Sequence, residues 1–586
     1  MSAFFLYRDD VDLDFSAAEQ VFSVLGAPKQ YSCGKYKIWL YKKATDNDFN
    51  IAVEDDATAF IVGSLAYSGS QGSSLKNALH DWLNGSLSAE KCVGVFVLIF
   101  LRNNRISFVS DGSGIQNLYY DTGCRAISSS FYALVQALPE KLTLNRDAVV
   151  ENLVTGFLVA PDTIFNEISR FDLNARTQFK FEGIATAKLI LPPPDLPPIR
   201  NRSLMVEFEL ERLKNRYQIL AEHRNNCFHN EEVPFDLGLS GGYDSRLLFL
   251  SARETLKTVA LHTHWKAKPD RDLQIACNIA NAANLPLFEQ EVRILSEMNR
   301  EELVLLMEDS FHFYDAHIRV NCNLLSHLRS RSYRSTMLNG NRLTLNGVGG
   351  ELYRNEDRVI GTQKLNRWLK KDVVLHEAPD SFEDIRAEQN CILRLRDKIL
   401  NVLLLSGDNI DLARIKQYYA QIWIPAGPGI IANAHSQLSD IFFPFVDASV
   451  TPYALSAVHH LSVNGQFEAE MITQLDPKLA SLPSTYGYSF AKLPKKELFK
   501  SYFKWYVRPL TERYYQRVRN KKSKFSGLSQ KASDKEIDKF VNQQLESVMS
   551  WNLPINWDGL CTSTDPYHRA VDFGYLLNKL STRIRQ

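Results

Sequence analysis

Several features are scarce or missing in this 586-residue chain. Charge of one sign is not in excess: 68 basic residues stand against 67 acidic ones, so no bulk field draws the protein to nucleic acid or to a membrane surface. The eight cysteines (Cys33, Cys92, Cys124, Cys227, Cys277, Cys322, Cys391 and Cys561) are scattered, with no CxxC pair and no companion histidines at metal spacing, and read as reduced, mostly buried thiols. No apolar run is long enough to cross a bilayer. The longest, VGVFVLIFL from Val93 to Leu101, is about half of the ~20 residues a spanning helix needs, and reads as a core strand. The start, MSAFFLYRDD, lacks the basic and then apolar pattern of a signal peptide, so the expected location is the cytoplasm, with no membrane partner. There is no internal repeat and no low-complexity tract. A GxxxxGK[ST] loop occurs nowhere, which leaves kinase-like γ-phosphate transfer unsupported.

What is present changes character along the chain. Up to about residue 190 short β-type runs are broken by Gly, Asn and Asp, and the hairpin-like LRNNR favours a mainly antiparallel layered domain. Five prolines between Leu189 and Arg202 can continue neither a helix nor a central strand, so they read as a stiff extended linker. This predicts domains over 1–195 and 200–586. Beyond the linker, strand-like and helix-like segments alternate: PFDLGLS, SRLLFLSARE, TVALHTHW, DLQIACNIANAAN. Alternation of this kind implies a parallel sheet, with ligands expected at the carboxyl ends of its strands. After about Ser381 the pattern is helical.

The most informative stretch is FDLGLSGGYDSRLLFLSA, Phe235 to Ala252. A strand ending at Leu239, then Ser240, Gly241, Gly242, Tyr243, Asp244 and Ser245, then a helix from near Arg246, makes an anion cradle. Glycines let backbone N–H groups approach an anion, and the helix N-terminus adds about half a positive charge. Ser240 and Ser245 supply hydroxyls. Asp244 would repel phosphate unless a divalent ion lay between, so it argues for Mg²⁺ as well as for a nucleotide. The plain alternative is a Ser/Gly turn with an aspartate cap.

LSGGYDS resembles the SGGxDS pyrophosphate loop of the N-type ATP pyrophosphatases, and its flanks are similar to the asparagine synthetase family over most of the chain. GVFVLIFLRNNRISFVSDGSGIQNLYYD with AISSSFYAL resembles the family's glutaminase core. LNGVGGELYRN stands where the family carries GxGGDELFGGY, and FFPFVDASVTPYALSAV where it carries its PF-x-D helix. The resemblance implies an α/β protein: an N-terminal antiparallel αββα glutaminase-like domain and a C-terminal parallel-sheet ATP-pyrophosphatase domain with a helical extension. It also implies an ATP-dependent, AMP-forming ligase that adenylates a carboxylate and passes it to an amine.

Three departures qualify that transfer. Glutamine hydrolysis needs a cysteine as second residue, and here it is Ser2, so no glutaminase activity is expected. The family's DE pair is reduced to Glu351, which with Asp244 is the expected Mg²⁺ ligand pair. Where the family has a lysine after the PF-x-D segment, Glu468 stands near that place, and Lys492, Lys495 and Lys496 are the nearest lysines. Lys492 and Lys495 are therefore the catalytic candidates. Leu239, His262, Thr263, Asn346 and Gly347 are expected on the nucleotide side. His262 and His264 alternate on a strand without a third ligand and read as ordinary strand residues, and Asp270 reads as a helix cap. Tyr314, Asp315, His317 and Arg319 are polar enough to line a substrate pocket. The lost cysteine points towards β-lactam synthetases and lasso-peptide cyclases, hence a small-molecule or peptide carboxylate as substrate. The rivals are an ammonia-dependent asparagine synthetase, a catalytically dead binding homologue, and an RNA-modifying pyrophosphatase, the last resting on the basic run from Arg517 to Lys524. Near-zero net charge speaks against nucleic acid. The oligomeric state is open, with a homodimer as one option.

Overall fold

The structure is a computed structural model that describes all residues except 1, 47, 172–180, 190–198, 200, 229–232, 267–268, 294, 318–329, 356–360, 376–377, 379, 448, 463–464, 495–534, 562–563 and 586. Most of the proline-dense stretch, Lys495, Arg319, Cys322 and the basic run from Arg517 to Lys524 lie outside the described residues.

Residues 3–188 form two stacked sheets. The first holds β1 (Ala3–Arg8), β2 (Lys29–Cys33), β3 (Tyr36–Tyr41), β8 (Tyr119–Asp121), β9 (Ala126–Ser128) and β10 (Ile168–Arg170), in the order β10-β8-β9-β1-β3-β2. The second holds β4 (Ile51–Glu54), β5 (Ala57–Tyr67), β6 (Cys92–Arg102), β7 (Arg105–Ser110) and β11 (Ile184–Lys188), in the order β11-β7-β6-β5-β4. All pairings are antiparallel except β11 with β7. Alternation sorts the side chains. Phe4 and Leu6 face the second sheet, while Ala3 and Phe5 face α1 (Phe15–Phe22) and α3 (Phe131–Ala137). In β6, Val97 and Ile99 face inward and Phe96, Leu98 and Phe100 face α2 (Ser74–Leu83). Both faces of β6 are therefore covered, which explains the uninterrupted apolar run of Val93–Leu101. Asn103 and Asn104 make the β6–β7 turn with φ of 51° and 59°, a conformation asparagine tolerates. The result is the αββα layering.

A five-stranded parallel sheet follows, built from β12 (Phe235–Gly238), β13 (Val259–Trp265), β14 (Leu287–Glu291), β15 (Leu343–Leu345) and β18 (Asp440–Phe442). Its order is β14-β13-β12-β15-β18. A small ribbon pairs β16 (Gln363–Lys364) with β17 (Asn409–Ile410). Of the helices, α4 (Arg146–Thr155) and α8 (Arg300–Phe313) belong to the apolar cluster under α1 and α3, α5 (Arg202–Phe228), α6 (Tyr243–Leu256) and α7 (Arg271–Ala282) share a second cluster with the parallel sheet, and α9 (Arg331–Leu338) packs by β14. Further on come α10 (Ile385–Val402), α11 (Pro428–His435), α12 (Gln466–Leu475), α13 (Lys535–Met549) and α14 (Thr564–Lys579). Among the described residues no helix is long and apolar enough to cross a membrane, and the seven described cysteines are free thiols.

The two parts share buried polar fasteners. Asp447, after β18, accepts from the Gly94 amide at 3.1 Å and the Ser449 amide at 2.9 Å, and lies 3.3 Å from the Arg216 guanidinium. Asp315, after α8, accepts from the Ser130 hydroxyl (2.5 Å) and from the Phe131 and Tyr132 amides (2.6 and 3.1 Å), capping α3 from outside. Burial pushes its carboxyl up to about 7, against these hydrogen bonds, which favour the charged form.

Two outcomes follow from these fasteners. Asp447→Ala strands the buried Arg216 charge and should cost about 3–5 kcal/mol, read as a lower denaturant midpoint. The raised Asp315 carboxyl means that the folded state binds a proton that the unfolded chain releases above the ordinary carboxylate range. Its contribution is complete at lower pH and is lost as pH rises through about 7. Unfolding followed against pH should therefore show a falling midpoint in that window for the wild type and a flatter one for Asp315→Asn.

Candidate active site

The strand order places β12 next to β13 on one side and β15 on the other. From β12 the chain winds outward through β13 and β14, then returns to continue through β15 and β18. The crevice between the carboxyl ends of β12 and β15 is thus the topological switch point, where open parallel sheets bind ligands. The SGGYDS loop leaves β12 there, and the NGVGGE loop leaves β15.

The helix begins at Tyr243, three residues earlier than the sequence pattern indicates, because the extended Gly242 is its N-cap. Asp244 therefore lies in the first turn of α6, at the positive end of the helix dipole. The two loops meet tightly. A Cβ on Gly350 would fall 2.0 Å from Asp244 Oδ1, and one on Gly347 3.2 Å from the Asp244 carbonyl oxygen. Glycine is required at 350 by this approach.

The cradle amides have acceptors. Ser240 N–H donates to Ser245 Oγ at 3.1 Å, Gly242 N–H to Ser240 Oγ at 3.3 Å, and Gly241 N–H to the Asp272 carboxylate at 3.0 Å. A protein carboxylate is thus bound where a phosphate oxygen was expected, which marks the position as one that attracts an anion. Above it, Thr485 N–H donates to the Gly241 carbonyl at 3.1 Å, and a Cβ on Gly241 would strike Thr485 Cγ2 at 2.5 Å. The segment that follows packs on the helix start: Phe490 stacks on Tyr243 at 4.0 Å, and Arg246 donates to the carbonyls of Leu482 and Pro483.

Asp244 and Glu351 converge, and the point of convergence is a guanidinium. Arg354 Nη2 lies 3.1 Å from Asp244 Oδ2 and 3.9 Å from Glu351 Oε1, while its Nη1 lies 3.4 Å from Glu468 Oε2. Arg354 is 4% exposed and Glu468 fully buried. The buried Lys416 donates to the Glu351 carbonyl at 3.1 Å, and burial, aided by the Glu351 charge, pushes the neighbouring Tyr419 hydroxyl well above its usual range. With Arg354 in place the pair does not fit a divalent ion: the two cations would share the same carboxylates at contact distance.

The other expected residues divide. Leu239 is buried and its amide bonds to the His262 carbonyl at 2.8 Å. The His262 ring is bonded to Asp236 at 2.6 Å and Thr263 is buried in the same strand; His264 is exposed. Asn346 Oδ1 accepts from the Val348 amide, shaping the loop after β15, and Asp270 caps α7. Lys492 is exposed beyond the 481–490 segment. Ser2 donates its hydroxyl to the carbonyls of Lys42 (2.8 Å) and Tyr41 (3.2 Å). Tyr314, Asp315 and His317 line a small cavity with Ser2 and Tyr119. Burial there pushes the His317 imidazole down to about 3. Arg354, Lys416, Asp272 and Thr485 are site residues that the sequence reading did not select.

Removing the resident anion should free an amide. Asp272→Ala is expected to tighten pyrophosphate binding about tenfold, the weight of one charged hydrogen bond, as measured by calorimetry; unchanged or weaker binding would count against the cradle.

No protein-family model and no curated protein matches the sequence. Among solved structures, the chain is similar to the glutamine-dependent NAD+ synthetase from Acinetobacter baumannii in complex with ADP. Sequence identity is 15% and the TM-score 0.18, over 44% of this chain and 51% of that one, so the match spans about half of the synthetase.

Proposed function

We propose that this protein is an ATP-dependent, AMP-forming carbon–nitrogen ligase, with Ser240–Ser245 as its pyrophosphate loop. The observation that carries the reading is the position of SGGYDS: it leaves the central strand at the switch point of a parallel sheet, opens a helix, and holds an anion on its Gly241 amide. The reaction in view is attack of a substrate carboxylate on the α-phosphorus of ATP, giving acyl-adenylate and pyrophosphate, followed by attack of an amine that releases AMP and a proton. The chain's own work is positioning and electrostatics. The loop amides and the serine hydroxyls take the leaving pyrophosphate as Asp272 withdraws. Leu239, His262, Thr263, Asn346 and Gly347 are the residues proposed to receive the nucleoside.

The substrate class proposed is a small-molecule or peptide carboxylate, with nitrogen taken from free ammonia or from the substrate itself. Ser2, whose hydroxyl is held by the Tyr41 and Lys42 carbonyls, supports a first part that serves as scaffold. A second reading, a nucleotide-binding homologue without turnover, is favoured by Glu468 at the family's lysine place, where it pairs with Arg354.

ATP–pyrophosphate exchange over a panel of carboxylates separates the two. Exchange that Asp244→Asn lowers by roughly a hundredfold or more supports the ligase. Nucleotide binding with no exchange for any carboxylate supports the second reading.

A further inference from the structure

The carboxylates of this site carry their own counter-ion. Arg354 comes from the loop after β15, Asp244 from the first turn of α6, Glu351 from the same loop as the arginine, and Glu468 from the first turn of α12. One guanidinium reaches all three, at 3.1, 3.9 and 3.4 Å, and its carbon lies 5.3 Å from the Tyr243 ring centroid. The packing around it is close: a Cβ on Gly465 would fall 3.2 Å from Arg354 Cδ. Glu468, fully buried, faces the guanidinium, so swinging Arg354 outward would strand a charge in the core. Lys416 adds a second buried cation on the Glu351 carbonyl. Three carboxylates thus face one fixed guanidinium, with a buried ammonium on the adjoining backbone.

We infer that Arg354, assisted by Lys416, is the resident cation of the phosphate site and stands between Asp244 and Glu351 in place of a site-bound divalent ion. This rests on the ligase reading for the identity of the anion it serves, a pyrophosphate or nucleotide polyphosphate. A guanidinium can hold a carboxylate on one edge and present N–H donors to a phosphate on another, whereas a metal must be recruited from solution and demands oxygen ligands in fixed geometry. The same arrangement accounts for Glu468. At the family's lysine place it anchors a cation supplied from the opposite loop, so the positive charge is kept while the element that carries it changes. A divalent ion that enters bound to the nucleotide belongs to the substrate and leaves with pyrophosphate.

Manganese alone, followed by the free-ion electron paramagnetic resonance signal, tests this on the full chain without any nucleotide. Wild type and Asp244→Asn are expected to bind the same number of ions. Arg354→Met should gain one ion per chain, lost again in the Asp244→Asn/Arg354→Met double variant. An ion bound by wild type and lost in Asp244→Asn overturns the inference, and this comparison decides the matter even where Arg354→Met does not fold. Calorimetry with pyrophosphate separates this from the function. Affinity in EDTA close to that in magnesium supports the resident cation. Binding that magnesium strengthens more than about tenfold, with the gain abolished by Asp244→Asn, overturns it. Absence of pyrophosphate binding under every condition overturns the ligase reading, and the manganese comparison still decides the cation.

Discussion

The close approach of two strand-end loops, with Gly350 and Gly347 lying against Asp244, is the constraint on which the site depends. Because no side chain fits between them, the loop after β15 is pinned to the first turn of α6, and the groups each carries are brought within ion-pair reach. A parallel sheet makes this possible only at its switch point, where neighbouring strands send their chains away in opposite directions and leave a crevice. The 481–490 segment, tied to Arg246 and stacked on Tyr243, packs on the start of α6.

Electrostatics at this crevice are settled internally. Asp272 satisfies the Gly241 amide, and Arg354 satisfies the carboxylates. Each of these contacts has the charge pattern of a ligand interaction, anion on amide and cation on carboxylate. A guest must therefore compete with side chains that cannot diffuse away. Such competition lowers affinity for anything that does not match both charges at once.

Much of the architecture was legible in the sequence. Period-2 patterns and the Asn-Asn turn marked the layered sheets, and strand, glycine cradle and helix in succession marked the switch-point loop. The helix start was misjudged by three residues because Tyr-Asp-Ser reads as loop until Gly242 is seen to act as the cap. The ionic centre was not legible. Arg354 and Lys416 lie in segments whose pattern singles out neither of them, and Asp272 stands two residues from Asp270, whose capping role was the more obvious. Only the convergence of segments far apart in sequence gives these residues their setting, and pattern within any one segment carries no trace of it.

The end of the described chain also returns to its beginning. Leu142 exchanges backbone hydrogen bonds with Arg583 and Arg585, and the Arg583 guanidinium donates to the Val135 carbonyl across 448 positions. The apolar cluster under α3 and α4 is completed by α13 and α14. During synthesis the first sheets would leave the ribosome with one flank of that cluster still bare, and it would stay bare until α13 and α14, roughly 400 residues further on, had emerged. A nascent chain halted before α14 would therefore offer chaperones a greasy, unsealed surface.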